Sequence, residues 1–358
     1  MPQNKQPKLV RISEKLQQNM QYVDELMGLE TNFDIIHRVI RLGDTDACMY
    51  LIDGFCKDEL MQKILQYLMD LKAEDFPKDA HEMSKIAIPY VEVDLDDTWE
   101  KILGALLSGV FVLLFDGYEK AVLIDARTYP ARGVEEPDKD KVLRGSKDGF
   151  VETVVFNTAL IRRRIRSTDL HMEMLNAGEN SRTDIVLCYM ESRVDPKLLT
   201  QIRERIRSIQ VDALAMNQES LAECLYQRKW YNPFPKFKYT ERPDTAAAQV
   251  LEGNLVILVD NSPSAMILPT TIFDVVEEAD DYYFPPVTGT YLRLTRFLIA
   301  LLTYFVTPTY LLLMNHRMWI PENLEFIILK EDPNVPLILQ FLLLELAIDG
   351  LRLAAVNT

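Results

Sequence analysis

The chain has 358 residues, of which 54 are acidic and 39 basic, so its formal net charge is -15. This length predicts two or three folded units, because single domains hold about 100 to 200 residues. The negative field repels polyanions and argues against DNA or RNA as a partner. The cysteines are scattered, with no CxxC pair and no histidine at zinc-ligand spacing, which predicts reduced core thiols at Cys48, Cys56, Cys188 and Cys224.

The N-terminal region is polar and lacks the apolar segment of a signal peptide, so the front half is expected to stay in the cytoplasm. Residues 1–45 are predicted to form a helical arm, because apolar residues recur there at helical spacing. These residues are Leu16, Met20, Val23 and Met27. Such a helix either covers its own domain or serves as a docking or oligomer arm.

A first α/β subdomain is predicted over residues 46–135. It comprises a buried strand (ACMYLIDG), two helices (KDELMQKILQYLMDL and WEKILGALLSG) and two apolar strands joined at Gly117 and Tyr118. The second helix is expected to close at Gly109. The charged segment 130–149, rich in Pro and Gly, predicts a linker or exposed loop.

A second α/β subdomain is predicted over residues 145–240, where helices and strands alternate. Its elements are a helix (ETVVFNTALIRRRIRS), two strands (DLHMEMLNAG and TDIVLCYMES), a helix (DPKLLTQIRERIRSI) and a strand (VDALAM). Residues 241–290 are predicted to form a neck containing a hairpin, with two strands flanking the turn at Asn261. No internal repeat is strong enough to predict an array.

Two charged clusters each allow two interpretations. An acidic patch either caps the following helix through Asp97 or Thr98, or holds a divalent cation. A basic run either meets anionic lipid headgroups or forms a solvated helix face paired with nearby acids. The patch consists of Asp94, Asp96 and Asp97, and the run consists of Arg162, Arg163, Arg164 and Arg166.

The region 291–358 is predicted to begin a membrane domain. No charged residue occurs from Phe297 to Met314, a stretch long enough to cross most of a hydrocarbon core of about 30 Å. Aromatic and basic residues on both flanks suit two membrane interfaces, which favours a membrane helix over about 292–314 rather than a buried helix of a soluble core. Pro308 lies inside this helix, removes a backbone hydrogen bond and predicts a kink.

A second membrane helix is predicted over about 335–356. It carries Glu345, Asp349 and Arg352 at a spacing that puts all three on one helix face. Charges at membrane depth are costly unless they face protein or water. The three residues are therefore candidate intramembrane polar or pore positions, or they are charges with a structural role near an interface.

Motifs for nucleotide binding and catalysis are missing from the sequence. There is no GxGxxG, no GxxxxGK[ST], no HExxH and no GxSxG, and the four histidines are far apart along the chain. An enzyme tethered to the membrane therefore has no support from a recognisable nucleophile, metal cluster or phosphate loop.

From Gly145 to its last residue the sequence resembles the A subunits of the GerA family of spore germinant receptors. The resemblance is dense in GSKDGFVETVVFNTALIRRRIRSTDLHMEMLNAGENSRTDIVLCYMES and in VDNSPSAMILPTTIFDVVEEADDYY. The second stretch is most like the stage V sporulation branch of that family. The subdomain before Gly145 fits the family's two-part soluble region on weaker motifs.

The resemblance implies an integral protein of the spore inner membrane, with its soluble N-terminal region on the core (cytoplasmic) side. It implies no catalytic residues and no cofactors, and germinant sensing in the family belongs mainly to a separate transporter-like subunit. Expected partners are further copies of the chain, other germinant receptor subunits, spore inner-membrane proteins and membrane lipid. Family members continue through further membrane helices, whereas this chain ends at Thr358, so a truncated membrane region is expected.

The favoured function is a subunit of an oligomeric ion-conducting channel that supports germinant signalling and ion release. This follows from the resemblance, because such subunits are thought to form a ring around an ion pathway. The alternative is a non-conducting membrane scaffold that organises germinant receptors. A continuous polar lining of the ring would favour the channel, and a ring plugged by apolar side chains would favour the scaffold.

Overall fold

The computed structural model describes residues 11–56, 58–128, 147–226, 234–271, 274, 285–328 and 334–356. The chain divides into two compact units, Met1–Asp280 and Asp281–Thr358. The predicted linker over 130–149 lies outside the described residues up to position 146, as does the end of the first predicted subdomain.

The first half of the large unit contains a five-stranded, wholly antiparallel sheet. Its strands lie in the order β1-β2-β4-β5-β3. The strands are β1 (Ile35–Leu42), β2 (Thr45–Ile52), β3 (Val93–Asp96), β4 (Phe111–Phe115) and β5 (Ala121–Ile124). The helices are α1 (Leu16–Met27), α2 (Asp58–Met69), α3 (Ala80–Ile86) and α4 (Trp99–Leu107).

The second half contains another five-stranded antiparallel sheet, in the order β6-β7-β9-β10-β8. The strands are β6 (Leu170–Ala177), β7 (Thr183–Met190), β8 (Lys238–Thr240), β9 (Leu255–Val259) and β10 (Ala265–Leu268). The helices are α5 (Val154–Arg164), α6 (Pro196–Arg207), α7 (Gln218–Leu225) and α8 (Pro243–Glu252). The expected α/β class is confirmed.

The two halves repeat one topology. In each half the described elements follow the order helix, two strands, two helices, strand, helix, two strands, and the strands take equivalent places in the sheet. Gly109 and Gly253 end the equivalent helices α4 and α8 with φ of 94° and 100°, a conformation that glycine adopts without steric cost. The sequence predicts no array of repeats, and the structure shows a single duplication of one topology rather than an array.

Equivalent hydrogen bonds also recur in the two halves. The Asp116 carboxylate, directly after β4, accepts from the backbone N–H of Leu16 at the start of α1, at 2.9 Å. The Asp260 carboxylate, directly after β9, accepts from the N–H of Val154 at the start of α5, at 3.1 Å. In both halves a hairpin carboxylate therefore satisfies a helix N–H that has no partner within its own helix.

Each sheet is covered by helices on both faces. In the first half α1 and α4 pack on one face while α2 and α3 pack on the other. In the second half the corresponding pairs are α5 with α8 and α6 with α7. Strands buried on both faces are apolar throughout rather than alternating, as in β4 (FVLLF) and β9 (LVILV), whose residues are all buried.

Helix α5 lies between the two halves and is buried on nearly all sides. Ala159 belongs to the core of the first half, whereas Leu160 and Ile161 belong to the core of the second half. The buried residues of α5 include polar ones, namely Asn157, Thr158 and Arg162, so the burial of this helix follows from its place between the two cores. It therefore joins the two halves through side-chain packing.

Two predicted boundaries and one predicted strand are corrected by the structure. The arm predicted over 1–45 contains strand β1, which pairs with β2 along its whole length. The neck predicted over 241–290 contains β9 and β10, which are inner strands of the second sheet. The segment VDALAM is not a strand: it joins neither sheet, and the chain turns there towards α7, held by hydrogen bonds from the turn after β6 to the carbonyls of Val211 and Asp212.

The small unit is helical in its described parts. Helix α9 (Pro286–Asn315) is followed by two short 3₁₀ helices (Arg317–Trp319 and Glu322–Ile327) and by helix α10 (Leu337–Val356). These helices contain the two apolar stretches that the sequence predicts as membrane helices.

Candidate functional site

Helix α9 has the length and composition of a membrane span. Among the described residues, the segment Val287–Asn315 alone meets both criteria, with a mean hydropathy of 1.9 and no burial of its apolar window. Leu298, Leu301 and Phe305 are each more than half exposed. Exposed apolar surface of this length is costly in water and favourable in lipid.

Pro308 lies inside α9, and the helix continues beyond it to Asn315. A proline at this position removes one backbone hydrogen bond from the helix, and its ring crowds the carbonyl four residues earlier. The predicted kink stays a prediction. At the end of the helix, the His316 ring stacks on Trp319 with 4.8 Å between ring centroids.

Helix α10 carries the three candidate polar positions. Glu345, Asp349 and Arg352 are all exposed, and their spacing of four and three residues places them on one side of the helix. Within the described residues no hydrogen bond or ion pair joins them to each other or to another side chain. Their roles, and the place of α10 in a membrane, stay predictions.

A ring contact joins the two long helices of the small unit. Tyr310 of α9 meets Phe341 of α10 edge to face, with 6.1 Å between ring centroids. Tyr310 lies two residues beyond Pro308, and Phe341 lies about one turn before Glu345. The contact therefore brings the proline turn of α9 near the first charged residue of α10.

In the large unit, Arg162 forms a buried ion pair between the two halves. Its side chain is fully buried and binds Asp34, from the loop before β1, through two hydrogen bonds of 2.7 Å and 3.0 Å. A third guanidinium nitrogen donates to the carbonyl oxygen of Leu170 at 3.1 Å. Removing one partner of such a pair leaves a buried charge without compensation, at a cost of about 3 to 5 kcal/mol.

The basic run therefore does not act as one surface. Arg162 is buried, which contradicts both the lipid-contact and the solvated-face interpretations for that residue. Arg164 pairs with Asp148, and Arg166 donates to the Ser108 hydroxyl at 3.2 Å. The sequence of α5 carries no signal of this burial, because Arg162 stands in a run of three arginines that is typical of a charged helix end.

His171 of β6 lies at the same junction. Its Nδ1 is 3.0 Å from the Thr31 hydroxyl, and its ring stacks on Tyr189 with 5.7 Å between centroids. Burial lowers the pKa of His171, so the imidazole is neutral near pH 7. Burial also raises the pKa of Tyr189 to about 12. Both rings therefore add polar contacts but no charge.

In the acidic patch, Asp96 is hydrogen-bonded to the residue directly before α4. Thr98 is the N-cap residue of that helix, and its N–H and hydroxyl both donate to the Asp96 carboxylate. Burial raises the pKa of Asp96, but these bonds and Lys101 outweigh that effect and lower the pKa to about 2. Over the described ranges, no group of three or more His, Cys, Asp or Glu side chains is placed to hold a metal ion.

The cysteines are free thiols in different environments. Cys48 and Cys188 are buried, as expected, and burial raises the pKa of Cys48 to about 12. Cys56 is half-buried, whereas Cys224 is exposed on α7. Cys224 therefore corrects the prediction of a core thiol at that position.

Comparison with known proteins gives a consistent result. The family described as Bacillus/Clostridium GerA spore germination protein matches residues 21–358. Stage V sporulation protein AF of Bacillus subtilis (strain 168) is 38% identical over 360 residues, covering 100% of this chain and 72% of that protein. Spore germination protein KA of the same organism is 27% identical, covering 99% of this chain and 66% of that protein.

The large unit also resembles a solved structure. The N-terminal domain of the A subunit of the Bacillus megaterium spore germinant receptor GerK3 is 27% identical, with a TM-score of 0.57. The similarity covers 74% of this chain and 98% of that domain. The likeness therefore extends over the two-sheet architecture.

Proposed function

Because the chain belongs to the GerA family of spore germination proteins, we propose that it is a membrane subunit of a spore germination complex whose copies form an ion-conducting channel. In this role the channel supports germinant signalling and ion release. The proposed location is the spore inner membrane, with the large unit on the core side. Other germinant receptor subunits, spore inner-membrane proteins and membrane lipid are the proposed partners.

The observation that carries the proposal is the charged side of α10. Glu345, Asp349 and Arg352 are exposed on a helix whose other residues are apolar except for Gln340. A charged side chain at the centre of a bilayer costs about 2.5 to 3.5 kcal/mol on insertion scales, so each needs water or protein beside it. Several copies arranged around an axis would turn these sides inward and line an aqueous path.

The apolar surface of α9 supports the same arrangement. Its long uncharged segment suits lipid, while the Tyr310–Phe341 contact holds α10 beside it. One helix would then face the bilayer and the other would face the path. Pro308 would set the shape of the outer helix near the level of Glu345.

A non-conducting scaffold is the second candidate. Its support is that Arg352 has the opposite sign to Glu345 and Asp349. Between neighbouring copies these charges would then pair with one another, and pairing would leave no continuous polar lining. The soluble halves would in that case organise receptors rather than gate ions.

The deciding experiment is ion flux across liposomes reconstituted with the chain. The wild-type chain is compared with Glu345→Gln/Asp349→Asn, which keeps side-chain shape and removes two charges. The matched control is Glu325→Gln, an exposed acid in the 3₁₀ helix between α9 and α10. A channel predicts flux from wild type and control and a several-fold lower flux from the double variant.

Flux that is equal in all three proteins would remove these residues from the path. No flux from any of them, with insertion shown by protease protection, would favour the scaffold. The same double variant in germinating spores, at normal protein level, is expected to slow ion release.

A further inference from the structure

The two outer strands of the first sheet carry opposite chemistry. Strand β1 forms one edge and β3 forms the other. In the described part of the chain, the outer side of neither strand makes a backbone hydrogen bond to another segment. An open edge offers unpaired N–H and C=O groups to any strand of suitable side chains. β1 is eight residues long, so its edge is an extensive one.

On one face of the sheet, a basic edge stands opposite an acidic edge. The pairing registers run in one row from His37 through β2, β4 and β5 to Asp94, so these two residues lie on the same face. Arg41 shares that face of β1. Asp96 shares that face of β3, but Thr98 and Lys101 already engage its carboxylate, so Asp94 is the acid that stays available at this edge. Arg41 and Asp94 are exposed and have no ion-pair partner among the described residues.

On the other face, β3 presents apolar side chains, and β1 presents Ile36 beside the exposed Arg38. Ile36 of β1 is 38% exposed, while Val93 and Leu95 of β3 are half-buried at the margin of the core. On the first face Val39 is 50% exposed between His37 and Arg41. The two edges therefore complement each other in charge on the face of Arg41 and Asp94, and both add apolar side chains on the other face.

We propose that β3 of one copy of the chain adds to β1 of a second copy, so that the first sheet continues from copy to copy. The four antiparallel steps between β1 and β3 leave these strands running in the same direction, so the joint is a parallel pairing. Such a head-to-tail contact uses two different surfaces. It generates a ring when the rotation closes and a filament when it does not.

A symmetrical pairing of β1 with β1 is disfavoured. It would bring the exposed Arg38 and Arg41 of both copies onto one short ribbon, and like charges across a strand pair are destabilising. The β3 edge of a second copy instead places the Asp94 carboxylate on the face that carries Arg41. Charge complementarity therefore selects the β3 edge as the occupant.

The second sheet does not offer the equivalent edge. The outer side of β6 is covered by the loop before β1, where the Phe33 N–H donates to the Met172 carbonyl at 3.2 Å. The Asn32 amide oxygen accepts from the Met172 N–H at 2.6 Å. The comparison of the two halves thus singles out β1 as the edge that is left for another copy.

This inference deepens the proposed assembly and rests on the oligomeric part of the proposed function, but it does not require ion conduction. The test measures the mass of the full chain in detergent by light scattering over a concentration series. The variants are Arg41→Glu, Asp94→Lys and the two together, with Asp70→Lys on the exposed end of α2 as control. Circular dichroism checks that each variant is folded.

Each single reversal is expected to weaken self-association about five- to tenfold, because it replaces an attractive cross-strand pair by a repulsive one. The double variant is expected to associate like wild type, since its reversed edges again match. The control is expected to change nothing. Folded single variants that associate like wild type, or a double variant that stays as weak as the singles, would overturn the inference.

Liposome flux of the same proteins separates this result from the channel proposal. Charge-dependent association without flux in any protein would support the strand pairing and remove the channel. Flux together with self-association that neither charge reversal weakens would support the channel and overturn the strand pairing.

Discussion

Arg162 and Asp34 form an ion pair with two hydrogen bonds that is buried between the two sheets, although 128 residues separate them in sequence. Asp34 belongs to the loop that leads into β1, and Arg162 belongs to the helix that packs against both cores. The pair therefore couples the two repeated halves chemically as well as sterically. Its strength depends on both partners being present.

Arg162→Met is expected to lower the free energy of unfolding by about 3 to 5 kcal/mol, because it leaves the Asp34 carboxylate buried without a partner. Arg162→Met combined with Asp34→Leu is expected to recover part of that loss, since no unpaired charge remains. Arg163→Met, an exposed neighbour on the same helix, should stay within about 0.5 kcal/mol of wild type. Unfolding by urea, followed by the fluorescence of buried Trp99, measures all three.

A second prediction comes from two equivalent asparagines. Asn19 of α1 accepts from the Ser13 N–H at 2.8 Å and donates to the Ser13 carbonyl at 2.5 Å. Asn157 of α5 makes the same two bonds with Val151, at 2.8 Å and 2.6 Å. Each side chain therefore closes a ring with the backbone six residues earlier, just before its helix.

Asn19→Ala and Asn157→Ala should each destabilise the chain by about 1 to 3 kcal/mol, because each strands a backbone N–H and a carbonyl. The exposed Asn176→Ala in β6 is the matched control and should have little effect. Thermal unfolding of the three variants tests the equivalence of the halves. A large effect at one site and none at the other would show that the two rings have diverged in importance.

The sequence predicted local structure well where punctuation and apolar runs coincide. Helix α4 ends before Gly109 as expected, and the β4–β5 hairpin turns at Gly117 as expected. The repeat is not visible in the sequence because the two halves share the positions of buried residues rather than their identities, as in GVFVLLFDG and GNLVILVDN. Hydrophobic positions tolerate substitution when volume and pattern are kept.

The junction could not be predicted for a different reason. Nothing in the local sequence of Arg162 names a partner in the loop before β1, since long-range pairing depends on how the two halves pack. The exposed edge of β1 could not be predicted either, because residues 35–42 fall within the predicted helical arm. That strand mixes buried and exposed residues without regular alternation, so neither the helical period of 3.6 residues nor the strand period of two residues fits it.

The third prediction concerns pH and Asp96. Hydrogen bonds from Thr98 and Lys101 hold the pKa of Asp96 at about 2 in the folded chain, below the value of 3.8 for an unperturbed aspartate. Its contribution to stability is therefore complete above about pH 4 and is lost as the pH falls through 2. Asp96→Asn should lower the unfolding midpoint near pH 7, and its deficit should shrink towards pH 2.

The matched control for this pH series is Asp70→Asn, an exposed acid at the end of α2. Its midpoint should track wild type across the whole series. A deficit of Asp96→Asn that is the same at pH 2 and pH 7 would mean that the charge of Asp96 contributes nothing and that only the shape of its side chain matters.

The last prediction concerns Pro308 within α9. Pro308→Ala restores an N–H whose acceptor is the carbonyl of Tyr304, four residues earlier, and removes the ring that crowds that carbonyl. The helix should straighten, so spin labels placed at Leu294 and Leu312 should move apart. Ion flux in liposomes should fall several-fold, because the turn at Pro308 lies near Glu345 through the Tyr310–Phe341 contact.

Thr309→Ala is the matched control, since it changes the neighbouring side chain without altering the backbone donor. It should leave both the label distance and the flux unchanged. A straightened helix with unaltered flux would separate the shape of α9 from conduction, and an unaltered distance would show that the helix absorbs the proline without bending. If the flux is unaltered, the proposed ion path depends on the charged side of α10 and not on the shape of α9.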